Sequence, residues 1–185
     1  MARFTDLRVA VLATDGFEEM ELTHPGAALT KEGAWVEVIS PADRPIQAFN
    51  HLDKTITVAV DMKLADARPE NYDALVLPGG ALNADALRTL PEVQTFVRSF
   101  QEAGKPMAVI CHAPWLLVSA GLVRGRTLTS YHTLQDDIRN AGGKWRDTAV
   151  VNDDNWVTSR QPSDLPAFIP AMFELIERTA VAAAR

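Results

Sequence analysis

Met107-Ala108-Val109-Ile110-Cys111-His112-Ala113-Pro114-Trp115-Leu116-Leu117-Val118 divides into two halves at a cysteine. Residues 107–110 are a short apolar run behind Gly104 and Pro106. That pattern predicts a strand buried on both faces of a parallel sheet. From Ala113 onward the stretch predicts a helix, with Pro114 tolerated in its first turn. Cys111 stands at the junction. A nucleophile at a tight strand-to-helix turn is lifted above the sheet edge and faces the amides of the following helix. Those amides and the helix dipole favour thiolate over thiol. The same geometry serves serine hydrolases of a different fold, so it marks a mechanism. His112 is the nearest candidate base. The plain alternative is that a lone cysteine behind an apolar strand is a small core residue.

On the N-terminal side, residues 9–13 (Val-Ala-Val-Leu-Ala) have the length of a central strand and are broken by Thr14-Asp15-Gly16-Phe17. A helix is expected over about 18–32, with Leu22 and Leu29 facing the core and Gly33 ending it. Residues 35–39 form the next strand, closed by Ser40-Pro41. This strand-helix-strand unit is the first of a series. Residues 56–60 suggest a peripheral strand pairing with the segment around 46–48. Residues 74–77 (Ala-Leu-Val-Leu) are another buried strand, followed by Pro78-Gly79-Gly80. Two glycines at a strand's carboxyl end admit backbone positions that a side chain would block, and ligand crevices open at such ends. An ordinary glycine turn is the alternative. A helix over about 84–103, staggered near Pro91, presents Phe96, Val97 and Phe100 as its apolar face.

Beyond the cysteine, Gly121 ends a helix and a short strand follows at 128–129. Thr133 is a candidate cap, with Asp136, for a helix through Leu134 and Ile138 to Ala141. Residues 145–151 and 156–158 read as strands of a hairpin turning at 152–155. The last helical region opens at Pro162-Ser163-Asp164-Leu165. Pro170 lies within it, Phe173, Ile176 and Val181 form its core face, and the final residues fray. Alternating strands and helices predict an α/β fold, with a mainly parallel sheet between two helical layers, in one domain over residues 1–185.

Two further loops share the rim with Cys111: the one after the first strand, carrying Glu18, and the one carrying Gly79 and Gly80. A carboxyl beside a thiol forces one of the pair to keep a proton, so Glu18 is a candidate general acid or base. The alternative is that Glu18 merely favours its helix N-terminus, since residues 15–21 gather four acids in a manner common on solvated surfaces. The amides of Gly79 or Gly80 and of His112 are candidate oxyanion donors. His112 calls for a carboxylate on its other nitrogen, and Asp85 is the nearest in sequence.

The 185 residues, 47% hydrophobic and 23% charged, suffice for a full core. Eighteen basic against 24 acidic residues give a formal charge of −6, without a basic stripe that would bind nucleic acid. One cysteine excludes an internal disulfide and a CxxC redox pair, and fits a reducing compartment. No run approaches 18 apolar residues, and the first residues lack a secretory core, so a cytoplasmic setting without membrane contact is expected. GxGxxG after the first strand and GxxxxGK[ST] are absent. His24, His51, His112 and His132 are scattered without metal-ligand spacing, so neither a metal nor another cofactor is expected. Oxidation of Cys111 is open to an exposed thiolate.

Residues 15–22, 76–80 and 108–114 form an ordered set. Further members are Gly121-Leu122-Val123-Arg124-Gly125-Arg126, Thr129-Ser130-Tyr131, Asp136-Asp137-Ile138 and Asn155-Trp156-Val157-Thr158-Ser159-Arg160. Together they resemble the PfpI (ThiJ/PfpI) family, over residues 9 to about 173. The resemblance implies a flavodoxin-like three-layer α/β/α sandwich, related to class I glutamine amidotransferases, with a nucleophile elbow at Cys111. It implies Cys111 as nucleophile, Glu18 as its hydrogen-bonded acid and His112 as the adjacent histidine. Asp85 would stand near the acid that a neighbouring subunit contributes in peptidase-like members. Dimers, or hexamers built from dimers, are implied too. The family's activities imply a cofactor-independent, stress-related cysteine enzyme for carbonyl or peptide substrates: an intracellular peptidase, glyoxalase or deglycase. The alternative is a redox sensor or chaperone in which Cys111 is oxidised rather than catalytic.

Overall fold

The computed structural model describes residues 2–183, with side chains through Thr179. It opens with β1 (Arg8–Leu12), the two-residue β2 (Phe17–Glu18) and α1 (Glu19–Lys31). Next come β3 (Trp35–Ser40), β4 (Ile46–Asn50), β5 (Asp53–Val58), β6 (Met62–Lys63) and β7 (Ala74–Leu77). α2 (Ala81–Arg88), α3 (Pro91–Glu102), β8 (Met107–Ile110), α4 (Pro114–Ser119) and β9 (Thr127–Leu128) follow. The chain ends with α5 (Gln135–Asn140), β10 (Lys144–Trp145), β11 (Val150–Asp153), β12 (Trp156–Ser159) and α6 (Leu165–Ala183).

The central sheet has the order β11-β12-β8-β7-β1-β3-β6 and is parallel except at the β11–β12 hairpin. Successive strand residues point to opposite faces, and each face has its own core. Val9, Val11, Val76, Ala108 and Ile110 pack with Leu22 and Leu29 of α1 and Phe168, Met172 and Ile176 of α6. Ala10, Leu12, Leu75, Leu77, Met107 and Val109 pack with Leu87 of α2, Phe96, Val97 and Phe100 of α3, and Leu116 and Leu117 of α4. Burial on both sides is why these strands read as unbroken apolar runs rather than alternating ones. The expected three-layer α/β architecture is present.

Several boundaries differ from the sequence expectation. The helix expected over 84–103 is two helices, because Pro91 cannot continue α2 and instead starts α3. Thr133 does not cap α5; it lies inside a 3₁₀ turn over His132–Leu134, and Leu134 is the cap without a side-chain bond. The strand expected over 145–151 is divided. Its start, β10, pairs with β9 in a separate ribbon, and its end, β11, joins the central sheet. The polar turn between them is pinned where Arg160 donates to Asp147 at 2.7 Å. Pro170 lies inside α6. Phe173 and Ile176 are buried as expected, whereas the side chain of Val181 lies outside the described residues.

The hairpin β4–β5 forms a small sheet of its own with β2, in which Glu18 pairs with Phe49. That sheet carries the hairpin turn at His51 and Leu52 over the carboxyl ends of the central strands. Among the described residues, no helix is long and apolar enough to cross a membrane.

Candidate active site

Because β12, β8, β7 and β1 are neighbours, the loops after them meet on one rim. Between them lies a cleft of about 480 Å³, whose wall includes Glu18, His51, Gly80, Cys111, His112 and Tyr131.

Cys111 follows β8 directly and has φ +63°. A side chain in this left-handed region costs roughly 1–2 kcal/mol. Tertiary hydrogen bonds on both sides impose it. The Cys111 N–H donates to the Ser159 carbonyl at 3.0 Å, and its carbonyl accepts from the Tyr131 N–H at 2.8 Å. The residue is only 6% exposed.

The carboxyl against the sulfur is that of Glu21, not Glu18. Glu21 is fully buried in the first turn of α1, and Oε2 accepts the Gly79 N–H at 2.8 Å. Burial, opposed by that N–H and reinforced by the charge of Glu18, pushes the Glu21 carboxyl up to about 8. Its Oε1 is buried without a well-formed hydrogen bond, although the group is close enough to the thiol for each to shift the other's protonation. A neutral carboxyl with a proton on that oxygen would find the sulfur as its acceptor.

Glu18 occupies the mouth of the cleft. Its Oε2 accepts the His51 N–H at 3.1 Å. The pairing of β2 with β4 orients it toward the hairpin, whereas three residues of helix carry Glu21 round to the sheet. The expectation that Glu18 bonds the thiol is therefore corrected. The four acids of residues 15–21 are not a solvated patch either, since Glu18 and Glu21 are both buried.

Gly79 is also reassigned. Its amide is engaged by Glu21 and is not free as an oxyanion donor. A Cβ on Gly79 would lie 2.5 Å from Cys111 Cβ and 2.5 Å from Glu21 Oε2, so only glycine permits the approach. The N–H groups of Gly80 and His112 face the sulfur, and both pull the thiol toward ionisation. Burial outweighs them. It drives the Cys111 thiol well above its ordinary value, and a negative Glu21 would raise it further. The lowered thiol expected of the elbow is not found at rest.

His112 Nδ1 lies 3.2 Å from Sγ, and its ring stacks on Tyr131 at 4.6 Å. Burial, helped by nearby His132, lowers its pKa and keeps the ring neutral. Within the chain Asp85 lies exposed on α2, away from the cleft, and does not supply His112 with a carboxylate. Among the described residues, no three metal-binding side chains gather into a metal site.

Residues 7–175 match the DJ-1/PfpI family. The chain belongs to the DJ-1/PfpI family. It is 42% identical over 171 residues to a deglycase of Pyrococcus abyssi, covering 92% of this chain and all of that one. It is 41% identical over 162 residues to protein/nucleic acid deglycase 2 of Escherichia coli, covering 87% and 92%. The crystal structure of Drosophila melanogaster DJ-1beta superposes with a TM-score of 0.82 at 26% identity, over 96% of this chain and 98% of that one. The flavodoxin-like sandwich implied by the sequence motifs is thus the fold of this DJ-1/PfpI chain.

Sequence reasoning missed Glu21, though a signal existed. Glu21, Pro25 and Leu29 recur every four residues and are all buried, so the acid stands on the core side of an amphipathic helix. An acid in that position needs a partner.

Proposed function

We propose that this protein is a cofactor-independent, stress-related cysteine enzyme that acts on small reactive carbonyls, or on early adducts of them, as a glyoxalase or deglycase. The observation that carries it is the floor of the cleft: a thiol flanked by a neutral carboxyl, a neutral histidine and two inward amides. At pH 7 Glu21 keeps its proton and cannot accept another. His112 Nδ1, neutral and 3.2 Å away, takes the thiol proton. Neutral Glu21 adds no negative charge beside the new thiolate and can hydrogen-bond to it. The sulfur then adds to the carbonyl carbon, and the C=O π electrons move to oxygen beside the Gly80 and His112 amides.

With a 2-oxoaldehyde, Sγ bonds to the aldehyde carbon. A proton leaves that carbon and returns to the adjacent one, with His112 as carrier. The resulting thioester is hydrolysed to a 2-hydroxy acid and free thiol. One carbon is oxidised and its neighbour reduced, so only water is consumed. The deglycase names of the relatives support this class of substrate. A small substrate also suits a 480 Å³ cleft better than a peptide does, and the Cys-His-acid set of a peptidase is not assembled within one chain. The proposal takes the working form to be a cytoplasmic homo-oligomer.

The test is turnover by metal-stripped wild type and C111S, with methylglyoxal and a fluorogenic peptide as substrates and lactate measured directly. Lactate from wild type alone is expected, with C111S reduced at least about 10³-fold. Undiminished lactate formation by folded C111S refutes the nucleophile. Peptide cleavage lost in C111S, without lactate, replaces the proposal with a peptidase. Silence on both substrates, with Cys111 readily oxidised, replaces it with a redox role.

A further inference from the structure

Behind the glycine turn, on the side away from the sulfur, lies a buried asparagine that the proposed chemistry does not use. Asn83, in the first turn of α2, is 1% exposed. Its Nδ2 donates to two successive carbonyls, Pro78 at 3.1 Å and Gly79 at 3.0 Å. Its Oδ1 accepts the Thr14 N–H at 2.8 Å. Two carbonyls demand a donor and the Thr14 amide demands an acceptor, so the orientation of the side-chain amide is fixed.

Every peptide bond here is trans, so a carbonyl held on one side sends the next N–H to the other. The Pro78–Gly79 peptide turns its carbonyl to Asn83 and its N–H to Glu21 Oε2. The Gly79–Gly80 peptide turns its carbonyl to Asn83 and its N–H to the Cys111 sulfur. Two neighbouring peptides thus point their donors the same way into the site. Their carbonyls crowd together on the far side, where like dipoles repel unless a donor bridges them. Among the described residues, the only other hold on the Gly79 carbonyl is the Glu18 N–H, at 3.3 Å. Glycines at both positions, with Gly80 at φ +90°, leave little steric resistance to rotation.

We propose that Asn83 is a positioning residue: it clamps the Pro78 and Gly79 carbonyls so that the Gly80 N–H is locked toward Cys111. Without the clamp the Gly79–Gly80 peptide rotates and withdraws that donor from the thiolate and from the developing oxyanion. Only the kinetic consequence rests on the carbonyl chemistry proposed above; the orientation of the peptide does not.

The test is Asn83→Asp, which keeps an acceptor for Thr14 but has no donor for the two carbonyls when ionised and at most one when protonated, too few to bridge both. The deciding readout is the ¹⁵N and ¹H shift of the Gly80 amide as Cys111 ionises, followed alongside the pH profile of alkylation by iodoacetamide. In wild type the Gly80 resonance follows thiol ionisation, and in N83D it no longer does. Alkylation at pH 7 falls about tenfold. If the chain turns over methylglyoxal, kcat falls about 10- to 100-fold with little change in KM, less than the 10²–10³-fold typical of deleting a donor outright. A folded N83D whose Gly80 amide still follows the thiol overturns the proposal even if alkylation slows, because the added charge alone then accounts for it. Should N83D not fold, Asn83→Ser, whose single short hydroxyl cannot bridge both carbonyls, gives the comparison without the charge. A wild-type Gly80 amide blind to Cys111 ionisation overturns the proposal directly. Absence of lactate with the amide behaviour intact defeats the proposed activity and leaves the role of Asn83 standing.

Discussion

Glu18 and Glu21 stand three residues apart, yet one sits at the mouth of the cleft and the other beneath its floor. At the mouth, Glu18 faces a hairpin whose His51 side chain is 80% exposed, and it holds a backbone amide. At the floor, Glu21 is fully enclosed, with one oxygen on Gly79 and the other without a formed bond. The same carboxyl group is a loop tether in one place and a proton store in the other. At the floor, burial penalises the charged form of Glu21 and holds its proton at neutral pH.

Glu21→Gln breaks the contrast most severely. The amide retains an acceptor for Gly79 but offers the thiolate a weaker N–H donor in place of the acid's O–H, so kcat falls about 10-fold or more. The same variant has a signature in stability. Glu21 holds its proton up to about pH 8 in the folded protein, against 4.5 for an ordinary glutamate. The folded state therefore binds the proton more tightly than the unfolded chain. Its contribution is complete below pH 4.5 and is lost as pH rises to about 8, a swing of a few kcal/mol. Denaturant melts of E21Q from pH 5 to 8 should lack most of that decline. An equal decline in E21Q would mean that Glu21 is ionised in the folded protein.

Gly79→Ala tests how tightly the floor is packed. The new methyl would meet Cys111 and Glu21 together, and overpacking of this kind costs about 1–3 kcal/mol. The melting midpoint should fall by several degrees, with slowed alkylation of Cys111. An unchanged midpoint and alkylation rate would show that the floor has room to spare.

Glu18→Gln is the mildest change. It keeps the acceptor for His51, so kcat is expected to stay within about threefold of wild type, any change falling on KM. A loss as large as that of E21Q would reverse the two roles and make Glu18 the proton carrier.

The two acids also separate what can be read along the chain from what cannot. Residues 74–77 and 107–110 announce themselves as strands because both of their faces are covered, which leaves a short apolar run that no exposed segment would carry. Cys111 and the glycine pair are legible for a related reason, since each sits where such a run stops. Glu18 was the natural candidate for the thiol because it is the first acid on the helix side of the β1 loop. What sequence spacing lacked was the small sheet in which β2 pairs with β4, for that pairing brings Glu18 to the His51 amide of the hairpin. The split of 145–151 into two sheets was hidden likewise, because pairing partners distant in the chain determine where a strand belongs.

The alternation of strands and helices, the place of the cysteine at a strand's end and the glycines beside it are written along the chain. Those features depend on local hydrophobic period and backbone freedom, which each short segment carries with it. Which acid meets the sulfur, which amides remain free to serve it and how far burial raises the thiol emerge only once the chain is folded. Those depend on burial and on the direction of individual N–H groups, and both are set by segments that meet from across the whole chain.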